Sequence, residues 1–438
     1  MTTFKVKDIR NQDAFPNLSY RFSNLRETET DVILEKDYLG ENPLHYYIDT
    51  KAAELIVANN ITDIKDYLEH TQRTFTWERV RAVSNNTRVT LDDLAFDSAT
   101  PKEEEIEPAL QEYELQKAID YIDINVVGRA IRGLLQSSLE ARLASIQEPN
   151  IGLLLSGGLD SMGIGYLLSK IKAKDVTAFT LKADETEPDV VKSRELAKRF
   201  QISLVEVKIT ETESGLSITS ERYSPSGNLI YSKKIAKNII PENAVLESLR
   251  ISGNPKKDNL FCAVAMYLIA QAIKGEGIQT VFCGEGPNEM INDYGFNPRE
   301  SGYSSDNKGD VRFREALTFG LKKTDRQLGR GGLPKHATAR MGKIFAHYGL
   351  RLESPYFDKD IARIMTRIPH LTSYDTIKQH IVSAIFPDDR LDSFIQGTSK
   401  QKFQDGSGIS RLFRSYTQER LIDMFECLYG IRKTDYLE

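Results

Sequence analysis

Cysteine is scarce in this chain of 438 residues, which has only Cys262, Cys283 and Cys427 and no CxxC pair. An odd number of widely spaced cysteines argues against a disulfide framework and against a cysteine-rich zinc site. Proteins without disulfides are typical of reducing compartments. We therefore expect a soluble protein with a cytoplasmic location.

The sequence also lacks long apolar runs and an excess of positive charge. The longest apolar stretch, 261–272, covers about 12 residues, fewer than a helix needs to cross a bilayer. The N-terminus has no apolar core typical of a signal peptide. Lysine and arginine total 58 against 63 aspartates and glutamates, whereas nucleic-acid-binding domains are usually basic. We expect neither a membrane nor a nucleic acid as partner.

The length predicts two or three domains at about 150 residues each. Residues 1–100 contain short strand-like apolar segments and little helical periodicity. A charged stretch bracketed by prolines, 99–111, is the best candidate for an interdomain linker. We therefore expect a β-rich N-terminal domain at 1–110 and a second domain at 111–438.

The second domain shows strands that alternate with helices. Apolar residues at helical spacing indicate one or two amphipathic helices over 115–146. We expect strands at 151–155, 176–181, 204–209 and 280–283, and helices at 161–172, 188–200 and 260–275. This alternation predicts an α/β fold with a parallel sheet covered by helices, and the pattern beyond about residue 310 is mainly helical.

The strongest local signal is LLLSGGLDSMG at 153–163, in which an apolar strand runs into two glycines and then a helix. Gly157 and Gly158 allow a sharp turn and a close approach to an anion. The N-terminus of the following helix favours an anion as well. Ser156 and Ser161 add hydroxyl donors, and Asp160 is suited to hold Mg²⁺ on phosphates. The alternative is a plain glycine turn with an Asp-Ser helix cap.

SGGLDS resembles the pyrophosphate loop of the N-type ATP pyrophosphatases (the PP-loop family), and its apolar lead-in is similar to the asparagine synthetase branch. Four later segments resemble the same branch in the same order: 178–200, TVFCGEGPNE at 280–289, RMGKIFAHYGLRLESPYFD at 340–358 and KQKFQDGSG at 400–408. The third of these keeps Arg340, Lys343, Gly349, Pro355 and Asp358. The resemblance, which extends to β-lactam synthetases and lasso-peptide cyclases, implies a doubly wound parallel sheet of the five-stranded type, like that of the adenine nucleotide alpha hydrolases.

The resemblance also implies a reaction. Members of this family activate a carboxylate with ATP as an acyl-adenylate, release pyrophosphate and let an amine attack. The resemblance assigns catalysis to Glu285 and Lys400, and Mg²⁺ binding to Asp160, Asn288 and Glu289. The residues that it assigns to the nucleotide and pyrophosphate are Leu154, Ser156, Gly157, Gly158, Asp160, Ser161, Leu181 and Gly284. The expected partners are small-molecule or peptide carboxylate and amine substrates, with a separate ammonia source and a homodimer left open.

Three departures from the family pattern bear on activity. Asn288 replaces a metal-binding aspartate, which should weaken Mg²⁺ binding unless Glu289 substitutes. Arg351 and Glu353 exchange the order of the family's glutamate and arginine, an exchange that a buried ion pair could survive. Glu285 stands where lactam-forming relatives place a tyrosine, which favours ammonia or an external amine as the nucleophile.

The N-terminal region departs most from the family. Glutamine-dependent relatives place a catalytic cysteine directly after Met1, whereas this chain has Thr2 and no cysteine before Cys262. We therefore expect 1–110 to be a truncated, inactive remnant of a glutaminase domain; an unrelated β-rich cap is the alternative.

Three functions remain open from the sequence. The first is an AMP-forming amide ligase that does not hydrolyse glutamine itself. The second is an intramolecular lactam or macrolactam synthetase of natural-product biosynthesis, and the third is a nucleotide-binding protein that has lost turnover. A tRNA-modifying PP-loop enzyme is disfavoured, because thiolating members often need paired cysteines and a basic face.

Overall fold

Two four-stranded sheets form the N-terminal region of the protein, for which we use a computed structural model. The structure describes residues 4–12, 23–36, 42–83, 87–92, 101–105, 124–287, 337–365, 382, 383, 386, 391 and 407–430. The elements of this region are β1 (Lys5–Asp8), β2 (Ser23–Glu27), β3 (Val32–Lys36), β4 (His45–Asp49), β5 (Glu54–Ala58), α1 (Ile61–His70), β6 (Val80–Ala82), β7 (Thr87–Leu91) and β8 (Lys102–Glu105).

The first N-terminal sheet, in the order β1-β5-β4-β6, is covered on both faces. Alternate side chains of a strand point to opposite faces. Tyr46 and Val57 pack against the second sheet, β2-β3-β7-β8, whereas Tyr47 and Ile56 join the large core of the C-terminal part. Burial on both faces explains the nearly continuous apolar sequences of β4 and β5.

Two expectations for this region were wrong. The predicted linker contains a strand, since β8 pairs with β7 and Arg88 forms an ion pair with Glu104 at 3.1 Å. Charged residues are common on edge strands because they discourage pairing with other chains, so the composition resembled that of a linker. Helix α1 was missed, although Ile61, Ile64 and Leu68 are buried at helical spacing.

A seven-stranded sheet forms the centre of the remaining chain. Its strands are β9 (Asn150–Leu154), β10 (Asp175–Lys182), β11 (Ser203–Thr212), β12 (Gly215–Tyr223), β13 (Leu229–Ile239), β14 (Thr280–Phe282) and β15 (Arg351–Glu353). The described helices are α2 (Ile124–Ala144), α3 (Leu159–Ile171), α4 (Pro188–Phe200), α5 (Pro241–Ser252), α6 (Lys257–Gly275), α7 (Ala337–His347), α8 (Lys359–Met365), α9 (Ile409–Leu412) and α10 (Gln418–Tyr429).

The strand order β11-β10-β9-β14-β15 gives five parallel strands, and the antiparallel hairpin β12–β13 extends them at one edge. The side chains of α3 and α4 lie in the core on one face, and those of α6 lie in the core on the other. This arrangement confirms the predicted α/β class with a doubly wound parallel sheet. The chain reverses direction across the sheet between β9 and β14, the place where doubly wound folds bind ligands.

The exchanged Arg351 and Glu353 form the buried ion pair that the sequence allowed. Glu353 accepts hydrogen bonds from Arg351 Nε and from Arg142 Nη1 of α2, each at 2.5 Å. Arg142 Nη2 also donates to Phe357 O at 2.8 Å, and Ser138 Oγ donates to Pro355 O at 2.9 Å. Helix α2 therefore fixes the turn that follows β15.

The N-terminal region and the end of the chain share a core. Trp77 contacts Phe425 and Tyr429 of α10, with ring centroids 6.0 and 5.2 Å apart. Thr62 Oγ1 and Tyr429 Oη both donate to Arg250 O, at 2.5 and 2.9 Å. None of the described helices combines the length and apolar character needed to cross a bilayer.

Lys343 of α7 is buried beside the N-terminal region. The pKa of its ammonium is lowered to about 7, chiefly by burial and then by the positive charge of Lys36, while the charge of Asp63 opposes the shift. The pKa of the buried His45 is also lowered, chiefly by burial and then by the charges of Lys343 and Lys36. A cation that loses its solvation on burial is unfavourable. The packing of α7 against the N-terminal region should therefore weaken as Lys343 becomes protonated.

We predict that the stability of the protein rises between about pH 7 and 10 because of Lys343. An unfolded lysine ionises near pH 10.4, so over this range the unfolded chain binds more protons than the folded chain. The unfolding free energy of the wild type should increase relative to that of Lys343→Met by about 3–4 kcal/mol over this range. Denaturant titrations at several pH values measure it, and the exposed Lys234→Met variant is the control. Parallel pH profiles for the wild type and Lys343→Met would contradict the prediction.

Candidate active site

The candidate site lies at the carboxyl ends of β9 and β14, on either side of the point where the strand order reverses. Ser156–Ser161 follow β9 and Gly284 and Glu285 follow β14, so the structure brings these two predicted segments together. Loops at this position of a doubly wound sheet form the crevice in which ligands bind.

The loop after β9 has the geometry of an anion-binding turn. Gly157 has φ of +70°, a left-handed conformation that glycine adopts easily. Gly158 is the N-cap of α3 and supplies no side-chain cap, and the first helical hydrogen bond runs from Met162 N to Gly158 O. The amide groups of the first helical turn are therefore not used by the helix itself, and they lie at the positive end of its dipole. The helix start does not have the Asp-Ser side-chain cap of the alternative interpretation.

Two serines stabilise the shape of this loop. Ser161 Oγ donates to Gly158 O at 3.0 Å, accepts from Ser156 N at 3.3 Å and lies 3.3 Å from Ser156 Oγ. Ser161 is buried, whereas Ser156 and Asp160 are half-buried. In this arrangement the Ser161 hydroxyl supports the loop from within, and the half-buried side chains of Ser156 and Asp160 lie nearer the solvent.

We call residues 156–161 the phosphate loop, after the family loop that they resemble. The loop after β14 approaches the phosphate loop so closely that only glycine fits. A Cβ placed on Gly284 would lie 2.5 Å from Ser161 N and 2.7 Å from Asp160 C. Ser354 Oγ donates to Glu285 O at 2.5 Å and fixes the next residue of the same loop. Gly284 thus contacts the first turn of α3, and the half-buried Glu285 is the next residue in the chain.

Tyr356 connects the turn after β15 with the phosphate loop. Its hydroxyl donates to Asp160 O at 3.3 Å. Burial raises its pKa well above the ordinary value, and the negative charge of Asp160 adds to the rise. Tyr356 therefore stays protonated as a donor, and the sequence analysis missed it although it lies within the quoted segment 340–358.

Leu154 is the last residue of β9 and Leu181 the penultimate residue of β10, at the same edge of the sheet. Their side chains are buried in the core, and the register pairs Leu154 with Phe179, two residues before Leu181. Leu155 N donates to Phe179 O at 2.9 Å, so the two strands remain paired up to the phosphate loop. Any contact of Leu154 or Leu181 with a nucleotide would thus be made by the backbone, as the resemblance implies.

The first turn of α4 lies against the phosphate loop and brings charged residues that the sequence analysis did not select. A Cβ on Gly157 would lie 2.6 Å from Lys192 Cβ and 3.2 Å from Asp189 O. Burial raises the pKa of Asp189 to about 7, the Lys192 ammonium opposes this rise, and the charge of Glu187 adds to it. Nothing in the local sequence pattern marks Lys192, because its position depends on how α4 packs.

The end of the predicted lysine loop, 400–408, also lies at this edge. Ala183 N donates to Ser407 O at 3.3 Å, and Arg411 forms an ion pair with Glu187 at 2.9 Å. Lys400, Asn288 and Glu289 lie outside the described residues, so their assigned roles stay predictions. The contacts of Ser407 and Arg411 nevertheless fix the end of the segment beside the loop after β10.

The described part of the site fits a magnesium-bound polyphosphate. Among the residues that the structure describes, no three His, Cys, Asp or Glu side chains are grouped closely enough to hold a metal ion. Mg²⁺ is commonly bound through one or two carboxylates together with phosphate oxygens, so it does not require such a group. A half-buried carboxylate at Asp160, next to an anion-binding turn, satisfies this requirement.

Comparison with known proteins agrees with this location. Residues 130–215 match the family model described as asparagine synthase, and the matched segment includes β9, the phosphate loop, α3, β10, α4 and β11. This match supports a relationship of this segment to the asparagine synthase family and, in general terms, an enzyme with ATP-dependent ligase chemistry.

One solved structure that the chain resembles is the U34-tRNA thiolase NcsA from Methanococcus maripaludis with its 4Fe–4S cluster. The two share 12% identity with a TM-score of 0.29, over 71% of this chain and 87% of that chain. A similarity this low supports no statement about function.

The approach of Gly284 to the phosphate loop gives a direct test of the site. Gly284→Ala should displace the first turn of α3 and lower the affinity for ATP at least tenfold, because a Cβ cannot be accommodated 2.5 Å from Ser161 N. Gly133→Ala is the matched control, since nothing lies within 4 Å of a Cβ there. Calorimetric titration of both variants with ATP and Mg²⁺ measures the effect; equal affinities would contradict the close approach.

Proposed function

We propose that this protein is an ATP-dependent ligase that forms amide bonds. It adenylates a substrate carboxylate, releases pyrophosphate, and joins the acyl group to ammonia or an amine with release of AMP. The observation that supports this proposal most strongly is the phosphate loop at the strand-order reversal, within the segment that matches the asparagine synthase family.

The chemistry of pyrophosphate release agrees with the residues at the loop. The leaving group gains negative charge, and amide groups at a helix N-terminus stabilise it without reorganisation. We propose that Ser156, Gly157, Gly158 and Ser161 bind the phosphates and that Asp160, with Asn288 and Glu289, holds Mg²⁺. When bound, Mg²⁺ neutralises phosphate charge. Leu154, Leu181 and Gly284 would contact the nucleotide through their backbones.

Lys400 is proposed to stabilise the α-phosphate as the adenylate forms. It precedes Ser407 by seven residues, a length that spans at most about 25 Å when extended. Because Ser407 is bonded to the loop after β10, the segment is long enough for Lys400 to reach the site. Glu285 follows Gly284 at the phosphate loop and is proposed to contact the carboxylate or the incoming amine.

The nitrogen is proposed to come from ammonia or an amine and not from glutamine hydrolysed by this chain. Thr2 stands where glutamine-dependent relatives have a cysteine nucleophile. Intermolecular ligation and lactam closure differ in product mass, because closure removes water from one substrate and ligation joins two. Glu285, in place of the tyrosine of lactam-forming relatives, favours ligation.

Asp160→Ala should abolish carboxylate-dependent pyrophosphate release. Removing one electrostatic stabiliser typically costs about 10²–10³ in rate. Asp423→Ala, at an exposed position of α10, is the control and should keep the wild-type rate. A coupled pyrophosphate assay with a panel of carboxylates and amines measures both variants. A folded Asp160→Ala protein with near-normal turnover would remove the loop from the mechanism.

The purified chain should release no glutamate from glutamine, and product should form only when ammonia or an amine is supplied. The reason is that Thr2 replaces the thiol that attacks the glutamine amide in relatives. Glutamate and product are quantified together by mass spectrometry. Glutamate formation at the rate of product formation would overturn this assignment of the N-terminal region.

A further inference from the structure

The side chain of Lys192 lies across the phosphate loop. A Cβ placed on Gly157 would meet Lys192 Cβ at 2.6 Å and Lys192 Cδ at 3.3 Å, so the aliphatic part of the lysine runs past this glycine. The ammonium nitrogen is two bonds beyond Cδ, so the loop is within its reach. Lys192 is half-buried, which limits the directions open to its side chain.

The charge of Lys192 is not neutralised by a close carboxylate in the part of the chain that the structure describes. Within the ranges that the structure describes, no carboxylate oxygen forms an ion pair with Lys192, whereas Glu187, at the start of the same helix, pairs with Arg411. Asp189 is the nearest carboxyl that influences it, and burial raises the pKa of Asp189 to about 7. Near neutral pH this carboxyl is only partly ionised, so it offsets the charge of Lys192 only in part.

A cation on a long stem next to an anion-binding turn is suited to a polyphosphate. Lysine acts on phosphates as a compact point charge with three donors. The turn supplies amide groups, and the lysine adds the positive charge that they lack. Both would act on the same anion.

We propose that Lys192 binds the phosphate groups of the nucleotide, and the pyrophosphate that is released from it. This inference rests on the proposed function for the identity of the ligand. It adds a phosphate-binding residue on α4, outside the loop that the sequence motif marks.

The competing explanation is that only the aliphatic stem of Lys192 matters, as packing for Gly157. Lys192→Met separates the two explanations, because methionine keeps an unbranched apolar side chain and removes the charge. Lys198 offers a matched control on the same helix. Its side chain lies across Gly227 in the turn between β12 and β13, with Nζ 3.0 Å from a Cβ placed there.

The experiment measures binding of ATP and of inorganic pyrophosphate, each with Mg²⁺, and of adenosine, which has no phosphate. Lys192→Met should bind ATP and pyrophosphate about tenfold to a hundredfold more weakly than the wild type, as expected for one charged hydrogen bond. Its affinity for adenosine should stay within about twofold. Lys192→Arg should recover part of the loss because it restores the charge, and Lys198→Met should resemble the wild type.

The outcomes separate this inference from the proposed function. If Lys192→Met and Lys198→Met bind pyrophosphate equally well, or if Lys192→Met loses ATP and adenosine to the same extent, the inference is wrong and the ligase proposal stands. If the wild type binds neither ATP nor pyrophosphate, both are wrong. If the binding losses occur but no carboxylate supports pyrophosphate release, Lys192 keeps its role and the ligase proposal fails.

Discussion

The site depends on the contact between two backbones at the centre of the sheet. Gly284 lies against the first turn of α3 with no space for a Cβ, so the end of β14 and the start of α3 are in direct backbone contact. This contact fixes the position of Glu285 and the orientation of the amide groups of the phosphate loop. A parallel sheet produces such an approach naturally, because its strands end at a common edge.

Several interactions remote from the loop maintain this contact. Arg142 and Ser138 of α2 bond to the turn after β15, and that turn contributes Ser354 and Tyr356, which bond to the two loops of the site. The two arginines that contact the buried Glu353 offset the cost of burying a carboxylate there. Helix α2 thus supports the site through its contacts with this turn.

The sequence predicted what depends on local pattern. A strand followed by two glycines and a helix indicates the phosphate loop, and the alternation of strands and helices predicts the doubly wound sheet. The ends of α4 were predicted as they occur, because Pro188 and Phe200 bound a clear helical pattern. Features that depend on packing were missed. The charged β8 resembled a linker, and Lys192 gains its position only when α4 packs against Gly157.

The packing of Trp77 on Phe425 and Tyr429 limits which parts of this chain can be lost in evolution. Whether or not the N-terminal region retains any chemistry, its sheet supplies one wall of the core that α10 completes. Deleting it would expose aromatic side chains at the far end of the sequence. Loss of an activity there would thus leave the region itself under selection, because stability alone requires it.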